Sequence, residues 1–289
     1  MQLKYSFKKE WLHFMRTFRV FGMILAIFSF ALADPLMYRA LGSLMDMMAN
    51  GGMDALAGAA AVGVQAGGTE VLGEIAGLYN DAGLIFGVTM AEFCSTSTLI
   101  IMLILMAAAG GEQKKRATII PACSGLEHFN YLLPKFVVYP ISVFAITFAS
   151  CICAGTLCNL LFTVNNIGFD MIILAAALCS VYMAFVTAVY LSIGLCTSRP
   201  GVVTVFMYIG TTLIQIILSG LDLEKFNPFT LRSLVSGGMF SENFVLADEM
   251  MSILIGTLLA VAISALMFVL CLAVQKARAI NNREDRPEF

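Results

Sequence analysis

Six long apolar runs alternate along the chain with shorter polar segments that contain Gly and Pro. A predominantly apolar run of about 20 residues is long enough to cross a bilayer as a helix. The runs predict membrane-spanning helices over about residues 18–33, 84–109, 136–162, 169–195, 202–221 and 250–274. The predicted fold class is therefore all-α, a polytopic membrane protein with one transmembrane domain over residues 1–289.

The segment before the first run has the spacing of an amphipathic helix over residues 3–18. One face carries large apolar residues and the other is basic: Leu3, Phe7, Trp11, Phe14 and Phe18 against Lys4, Lys8, Lys9 and Arg16. Such a helix lies in the boundary between headgroups and acyl chains. A basic start, an apolar core and Ala31-Leu32-Ala33 also resemble a cleavable signal peptide, but Glu10 and the amphipathic pattern favour the interfacial helix.

Two segments are predicted to contain short helices, and both lie at the end of the spans opposite the N-terminal segment. In segment 34–80, Asp34-Pro35 predicts a new helix start that separates this segment from the first span. In segment 222–249, Asn227 and Pro228 predict a helix start, and Gly237 and Gly238 a turn after it. The pattern leaves two interpretations of 222–249 open, a segment that dips back into the membrane and an ordinary surface helix.

Composition and charge support the membrane class and set an orientation. The chain is 60% hydrophobic and 12% charged, and its mean hydropathy is +0.88. Fourteen of its 17 Lys and Arg fall in the N-terminal segment, the loop 110–135, the turn near 199 and the tail 275–289. The positive-inside rule therefore places both termini in the cytoplasm, as expected for a multi-pass protein of the cell membrane. The net charge of −2 gives no indication of nucleic-acid binding.

The cytoplasmic loop 110–135 holds a candidate interaction element. Ser124 and Glu127 have the spacing of a capping box, which predicts a helix start. Leu126, Phe129 and Leu133 then form one apolar stripe, and Pro134 predicts the end of the helix. A connector that merely lies on the headgroups is the alternative.

The chain lacks the usual motifs of soluble catalysis. It has no phosphate-binding loop, no HExxH and no GxSxG, and its only histidines are His13 and His128. The eight cysteines form no CxxC pair, so we expect no catalytic residues, no bound cofactor and no metal site. The one ionisable residue well inside a predicted span is Glu92, which has no partner charge in its own segment. It is a candidate for a transport path or, equally, a protonated Glu bonded to a neighbouring helix.

The order of these parts resembles the permease subunit of an ABC-2-type ABC transporter. The local match is Glu112-Gln113-Lys114-Lys115-Arg116-Ala117-Thr118, leading to Lys135-Phe136 at the third span. It is similar to the charged E-x-x-K-G-T loop of that family, with Arg116-Ala117 in place of the Gly. The likeness in architecture covers nearly the whole chain, but the motif itself is short.

The resemblance implies that residues 125–133 form a coupling helix for a separate ABC ATPase, and that 222–249 is a re-entrant pair. The coupling residues would be Glu112, Ser124, Leu126, Glu127, Phe129, Tyr131 and Leu133. ATP and Mg²⁺ would bind two copies of the ATPase, and a second copy or homologue of this chain would complete a dimer. The apolar, Met- and Phe-rich interior favours export of lipidic, peptide or drug-like cargo.

Two other classes remain open. One is a secondary carrier driven through Glu92, and the other is a polytopic scaffold or sensor component whose loop binds a regulator. A carrier is expected to lose activity in Glu92→Gln, whereas an ABC permease would tolerate that change. A scaffold needs no substrate path.

Overall fold

The computed structural model describes residues 2–16, 18–49, 80–114, 127–197, 200–221, 227–236, 238–240 and 244–284. Within these residues the chain is almost entirely helical. The elements are α1 (Gln2–Arg16), α2 (Phe18–Ala49), α3 (Ala82–Lys114), α4 (His128–Leu161), α5 (Phe169–Cys196), α6 (Pro200–Gly220), α7 (Thr230–Val235), a 3-10 turn (Gly238–Phe240) and α8 (Leu246–Glu284).

Six of these helices, α2, α3, α4, α5, α6 and α8, are long and apolar enough to cross a membrane. This confirms the prediction of six long apolar helices and of a multi-pass membrane protein. Successive long helices run in opposite directions. One end of the bundle therefore carries α1, Lys135 and the C-terminal end of α8, and we call it the basic end. At the opposite end, Asp81 and Val164 form a short bridge between the segments before α3 and after α4.

Helix α5 lies at the centre and contacts α3, α4, α6, α7 and α8. Its contact with α4 depends on Gly155. A Cβ atom at that position would lie 2.7 Å from Cγ2 of Ile172, so only glycine lets the two backbones approach this closely. By contrast, the described side chains of α6 in the span Gly201–Leu218 are half-buried or exposed. Helix α6 therefore packs on the rim of the bundle.

The predicted break at Asp34-Pro35 is wrong. Helix α2 continues through this dipeptide to Ala49, with Pro35 inside the helix and buried. A proline removes one backbone donor, and membrane helices tolerate this loss where neighbouring helices pack around the site. The first span is correspondingly longer than residues 18–33 and extends over Val20–Leu44. Residues 50–79 of the predicted segment 34–80 lie outside the described residues.

The predicted end of a short helix at Pro134 is also wrong. Helix α4 begins at His128 and runs without a break to Leu161, with Pro134 and Pro140 inside it. Glu127 is the extended residue before the helix and makes no side-chain capping bond, so it does not act as the third helical residue of a capping box. Pro134 is buried, which indicates that packing of the long apolar helix outweighs the single lost hydrogen bond. Ser124 lies outside the described residues.

The remaining boundaries differ by fewer residues. Helices α3, α5 and α6 begin or end within a few residues of their predicted limits, except that α3 continues to Lys114. Helix α8 begins at Leu246 and continues to Glu284, so it includes much of the predicted tail 275–289. The segment 222–249 contains α7 and the 3-10 turn.

Candidate functional site

At the basic end, α1 is held against the start of α4 by a buried ion pair. Nζ of Lys135 lies 3.5 Å from Oε1 of Glu10, and the two side chains are 3% and 5% exposed. Ser6, Glu10 and Phe14 follow one another at intervals of four and form the buried stripe of α1. Trp11 is 49% exposed, so the buried stripe shares Phe14 with the predicted apolar face but runs beside that face through Ser6 and Glu10.

Aromatic rings surround this ion pair. Nζ of Lys135 lies 4.9 Å from the centre of the Tyr131 ring, which provides a cation–π contact. Phe14 of α1 and Tyr139 of α4 meet edge to face with their ring centres 5.0 Å apart. The second carboxylate oxygen of Glu10 has no hydrogen bond to any described residue. Removing Lys135 would therefore leave the Glu10 carboxylate buried without its counter-ion.

Among the residues predicted to contact an ATPase, Phe129 is the most informative. It is 43% exposed on the first turn of α4, next to the exposed Glu127. Its ring also meets Phe268 of α8 at 5.9 Å, and Phe136 meets the same ring at 5.1 Å. The first turn of α4 is thus both accessible and in contact with α8.

The other predicted coupling residues are distributed as follows. Tyr131 and Leu133 are half-buried on α4. Glu112 belongs to the last turn of α3, but its side chain lies outside the described part of the structure. Ser124 and Leu126 also fall outside the described residues.

Glu92 of α3 has a partner that the sequence did not indicate. The Tyr38 hydroxyl of α2 donates a hydrogen bond of 2.8 Å to Oε1 of Glu92. Asp34, one turn earlier on α2, is close enough to interact electrostatically with Glu92. Both groups belong to α2, so they do not bear on the prediction that Glu92 has no partner charge within its own segment. These contacts were hidden in the sequence because Tyr38 and Glu92 are 54 positions apart.

The segment that contains α7 begins at Asn227-Pro228, where a helix start was predicted. Oδ1 of Asn227 accepts a hydrogen bond of 2.8 Å from the Phe229 amide, but α7 begins only at Thr230, so the predicted start is two residues too early. Gly238 begins the 3-10 turn, and Gly237 lies outside the described residues.

This segment lies beside the middle of α5 and not at its end. Phe229 packs on Tyr182 with ring centres 6.3 Å apart. Tyr182 is about 20 Å along α5 from its first residue at 1.5 Å per residue. On the other side, a Cβ atom at Gly256 of α8 would lie 3.3 Å from the Asn227 carbonyl oxygen. A glycine in α8 thus makes room for the segment deep between the long helices.

Beside α7 lies a polar cavity of about 120 Å³ between α3, α5 and α6. Hydroxyl, amide and guanidinium groups line it together with two apolar side chains: Ser95, Thr98, Tyr182, Tyr208, Thr211, Thr212, Gln215, Ile216, Phe229 and Arg232. Nη1 of Arg232 donates a hydrogen bond of 3.0 Å to Oε1 of Gln215. No sequence pattern indicated this site, because its lining residues come from four separate elements.

The cavity and the basic end are at different depths in the bundle. Ser95 is about 20 Å along α3 from Ala82, well away from the ion pair of α1 and α4. In the described residues, no group of three or more His, Cys, Asp or Glu side chains is arranged to hold a metal ion. Comparison of the chain with protein-family models, with curated proteins and with solved structures gives no match.

Proposed function

We propose that this chain is the membrane-spanning subunit of an ABC transporter and that a separate ATPase docks on its basic end. The observation that carries the proposal is the first turn of α4. There, the exposed Phe129 lies at the start of a helix that continues unbroken through the bundle. An aromatic side chain that is only partly covered is a common anchor in protein interfaces.

The proposed orientation places the basic end in the cytoplasm. The concentration of Lys and Arg in the segments at that end supports it through the positive-inside rule. Both termini would then be cytoplasmic, in a cell membrane, and the ATPase would have direct access to Phe129. Helix α1, with Trp11 exposed, would lie along the cytoplasmic headgroups.

The connections of α4 support a mechanical role in coupling. Movement of its first turn would displace α1 through the Glu10–Lys135 pair and α8 through the ring of Phe268. The close contact at Gly155 would transmit the same movement to α5. Because packed helices shift as rigid bodies, closure of an ATPase dimer on ATP and Mg²⁺ would tilt several spans together.

A dimer follows from this proposal, as a homodimer or with a similar permease, and two ATPase subunits would complete the transporter. The cargo that suits an apolar interior is lipidic, peptide or drug-like, moving outward. The short helix α7 would be the re-entrant segment on the outer side of that path.

The experiment is purification of the chain from its native membrane in mild detergent, followed by mass spectrometry of bound proteins. We expect a partner with Walker A and Walker B motifs that is lost in Phe129→Asp. Phe169→Asp is the matched control, because Phe169 is 58% exposed at the opposite end of the bundle. A preparation without such an ATPase, from a chain that still forms a defined oligomer, would contradict the proposal.

A secondary carrier is the second candidate function, and the Tyr38–Glu92 hydrogen bond is the observation that favours it. Two acids and a phenol between α2 and α3 could bind a proton or a cation during transport. In this case Glu92→Gln would abolish ion-driven uptake into vesicles, while an ATPase-driven permease would keep its transport. A scaffold or sensor component would show no transport with either variant.

A further inference from the structure

The cavity beside α7 presents hydrogen-bond donors and a cation to its interior. The hydroxyls of Thr98, Thr211 and Thr212 donate to backbone oxygens of their own helices. Ser95, Tyr182 and Tyr208, whose side chains also carry hydroxyls, line the cavity as well. Because Oε1 of Gln215 accepts from Arg232, its amide nitrogen is left as a further donor.

Arg232 gives this site a positive charge that the described residues do not neutralise. No carboxylate of the described part of the chain lies within 4.0 Å of its guanidinium. Its hydrogen bond to Gln215 uses one of five N–H donors. A charge that is partly withdrawn from water is costly without a counter-ion, and an arginine within the membrane-spanning part of a protein is functional by default.

The size and position of the cavity limit what can enter it. A volume of about 120 Å³ equals that of about four water molecules in the liquid and is well below that of a drug-sized pocket. Ile216, one of its lining residues, is 63% exposed on α6, so the cavity reaches the lipid-facing rim of the bundle. A small anionic group therefore fits, and an apolar chain attached to it could lie against α6.

We infer that this cavity binds an oxyanion, a phosphate or carboxylate group, through the guanidinium of Arg232 and the hydroxyls of Ser95, Tyr182 and Tyr208. The planar fork of arginine matches the paired oxygens of these groups. The oxyanion is either the headgroup of an amphiphile that enters beside α6 or a free anion. The inference does not depend on an ATPase partner.

The test uses the purified full-length chain in dodecyl maltoside and dodecyl phosphate as the probe. Dodecyltrimethylammonium is the control of equal chain length and opposite charge, and inorganic phosphate has the same headgroup without the chain. Binding is measured by native mass spectrometry and by the shift in Tm. We expect dodecyl phosphate to bind and to raise Tm, and the ammonium control to do neither.

Arg232→Gln is expected to weaken dodecyl phosphate binding by about tenfold to a hundredfold, as for the loss of a charged hydrogen bond. Arg39→Gln is the matched control, since Arg39 donates a hydrogen bond to Asn80 at the end of the bundle. This variant should bind dodecyl phosphate as the unaltered chain does. Tyr208→Phe keeps the charge and is expected to weaken binding by about threefold to tenfold. It tests the site even if Arg232→Gln does not fold.

The two possible sources of the oxyanion, an amphiphile headgroup and a free anion, predict different binding results. Binding of dodecyl phosphate but not of inorganic phosphate assigns the site to the headgroup of an amphiphile, whereas equal binding assigns it to a free anion. The inference is overturned if neither phosphate binds more tightly than the ammonium control. It is also overturned if Arg232→Gln and Tyr208→Phe, both folded, bind as the unaltered chain does.

Discussion

Lys135 and Arg232 are both partly or fully withdrawn from water, and their surroundings differ. Lys135 has a carboxylate oxygen at 3.5 Å and an aromatic ring at 4.9 Å. Arg232 has a neutral amide oxygen at 3.0 Å and lines a cavity, with no carboxylate of the described residues within 4.0 Å. Lys135 therefore has a counter-ion within the chain, whereas the guanidinium of Arg232 has none among the described residues and keeps N–H donors for a ligand.

This difference separates a structural charge from a binding charge. The buried ion pair of Glu10 and Lys135 holds α1 and α4 in one register, and breaking it would leave a charge buried without its counter-ion. A cation with unused donors beside an open space gains when an anion enters. We therefore assign the basic end to the coupling of α1 with α4, and the interior cavity to ligand binding.

Lys135→Met breaks the matched pair and has the largest expected effect. It leaves the Glu10 carboxylate buried without its counter-ion, which costs about 3–5 kcal/mol of stability. The measurement is unfolding by dodecyl sulfate in mixed micelles. Glu10→Leu combined with Lys135→Met should recover most of the loss, and Lys276→Met, an exposed lysine near the same end, should cost almost nothing. A loss below about 1 kcal/mol for Lys135→Met would show that the pair is not structural.

Gly155→Ala disturbs the packing of α4 on the central helix α5. The added Cβ atom would lie 2.7 Å from Ile172, so α4 and α5 must separate, at a cost of about 1–3 kcal/mol. Gly210→Ala in α6 is the control, because no atom outside its own helix backbone lies within 4 Å of a Cβ atom there. It should be neutral or slightly stabilising. Equal stability of the two variants in the same assay would contradict the close α4–α5 contact.

The long helices were predictable because their signal is local. Each span is a continuous apolar run, and the run itself dictates a helix in lipid. The two wrong boundaries, at Pro35 and Pro134, come from applying a rule for soluble helices to membrane helices. In both cases the residue is buried and the helix continues, because the cost of one missing hydrogen bond is small beside the packing of a whole span.

The sites were less predictable because they depend on contacts between distant residues. Glu10 and Lys135 were both visible as charges, but nothing in the pattern pairs residues of α1 and α4. Arg232 was visible only as one of three basic residues on the outer side. Its role depends on Gln215, which faces it from α6, and on hydroxyls from α3 and α5. Such a site can be found only once the helices are placed.

Gln215→Leu tests whether Arg232 binds an anion. It removes the amide oxygen that accepts a hydrogen bond from Arg232, at an expected cost of about 1–2 kcal/mol. Addition of dodecyl phosphate should restore part of this stability, because the anion takes the place of the lost partner. The assay is thermal unfolding with and without the probe. No difference between the two conditions would argue against an anion at Arg232.

Tyr38→Phe has the smallest expected effect. It removes the hydrogen bond to Glu92, and such bonds between membrane helices contribute about 0.6 kcal/mol on average. Tyr5→Phe, with a side chain that is 69% exposed, is the control and should be neutral. Unfolding in mixed micelles resolves the difference in repeated measurements. A loss above about 3 kcal/mol would mean that Tyr38 and Glu92 form part of a larger buried network.

The most direct test of the proposed function is photocrosslinking in the native membrane from a benzoylphenylalanine placed at position 129. Position 169, at the opposite end of the bundle, is the control. The account predicts that position 129 crosslinks to a protein with Walker A and Walker B motifs and that position 169 does not. Crosslinks from position 129 to lipid alone, or to a protein without those motifs, would contradict it.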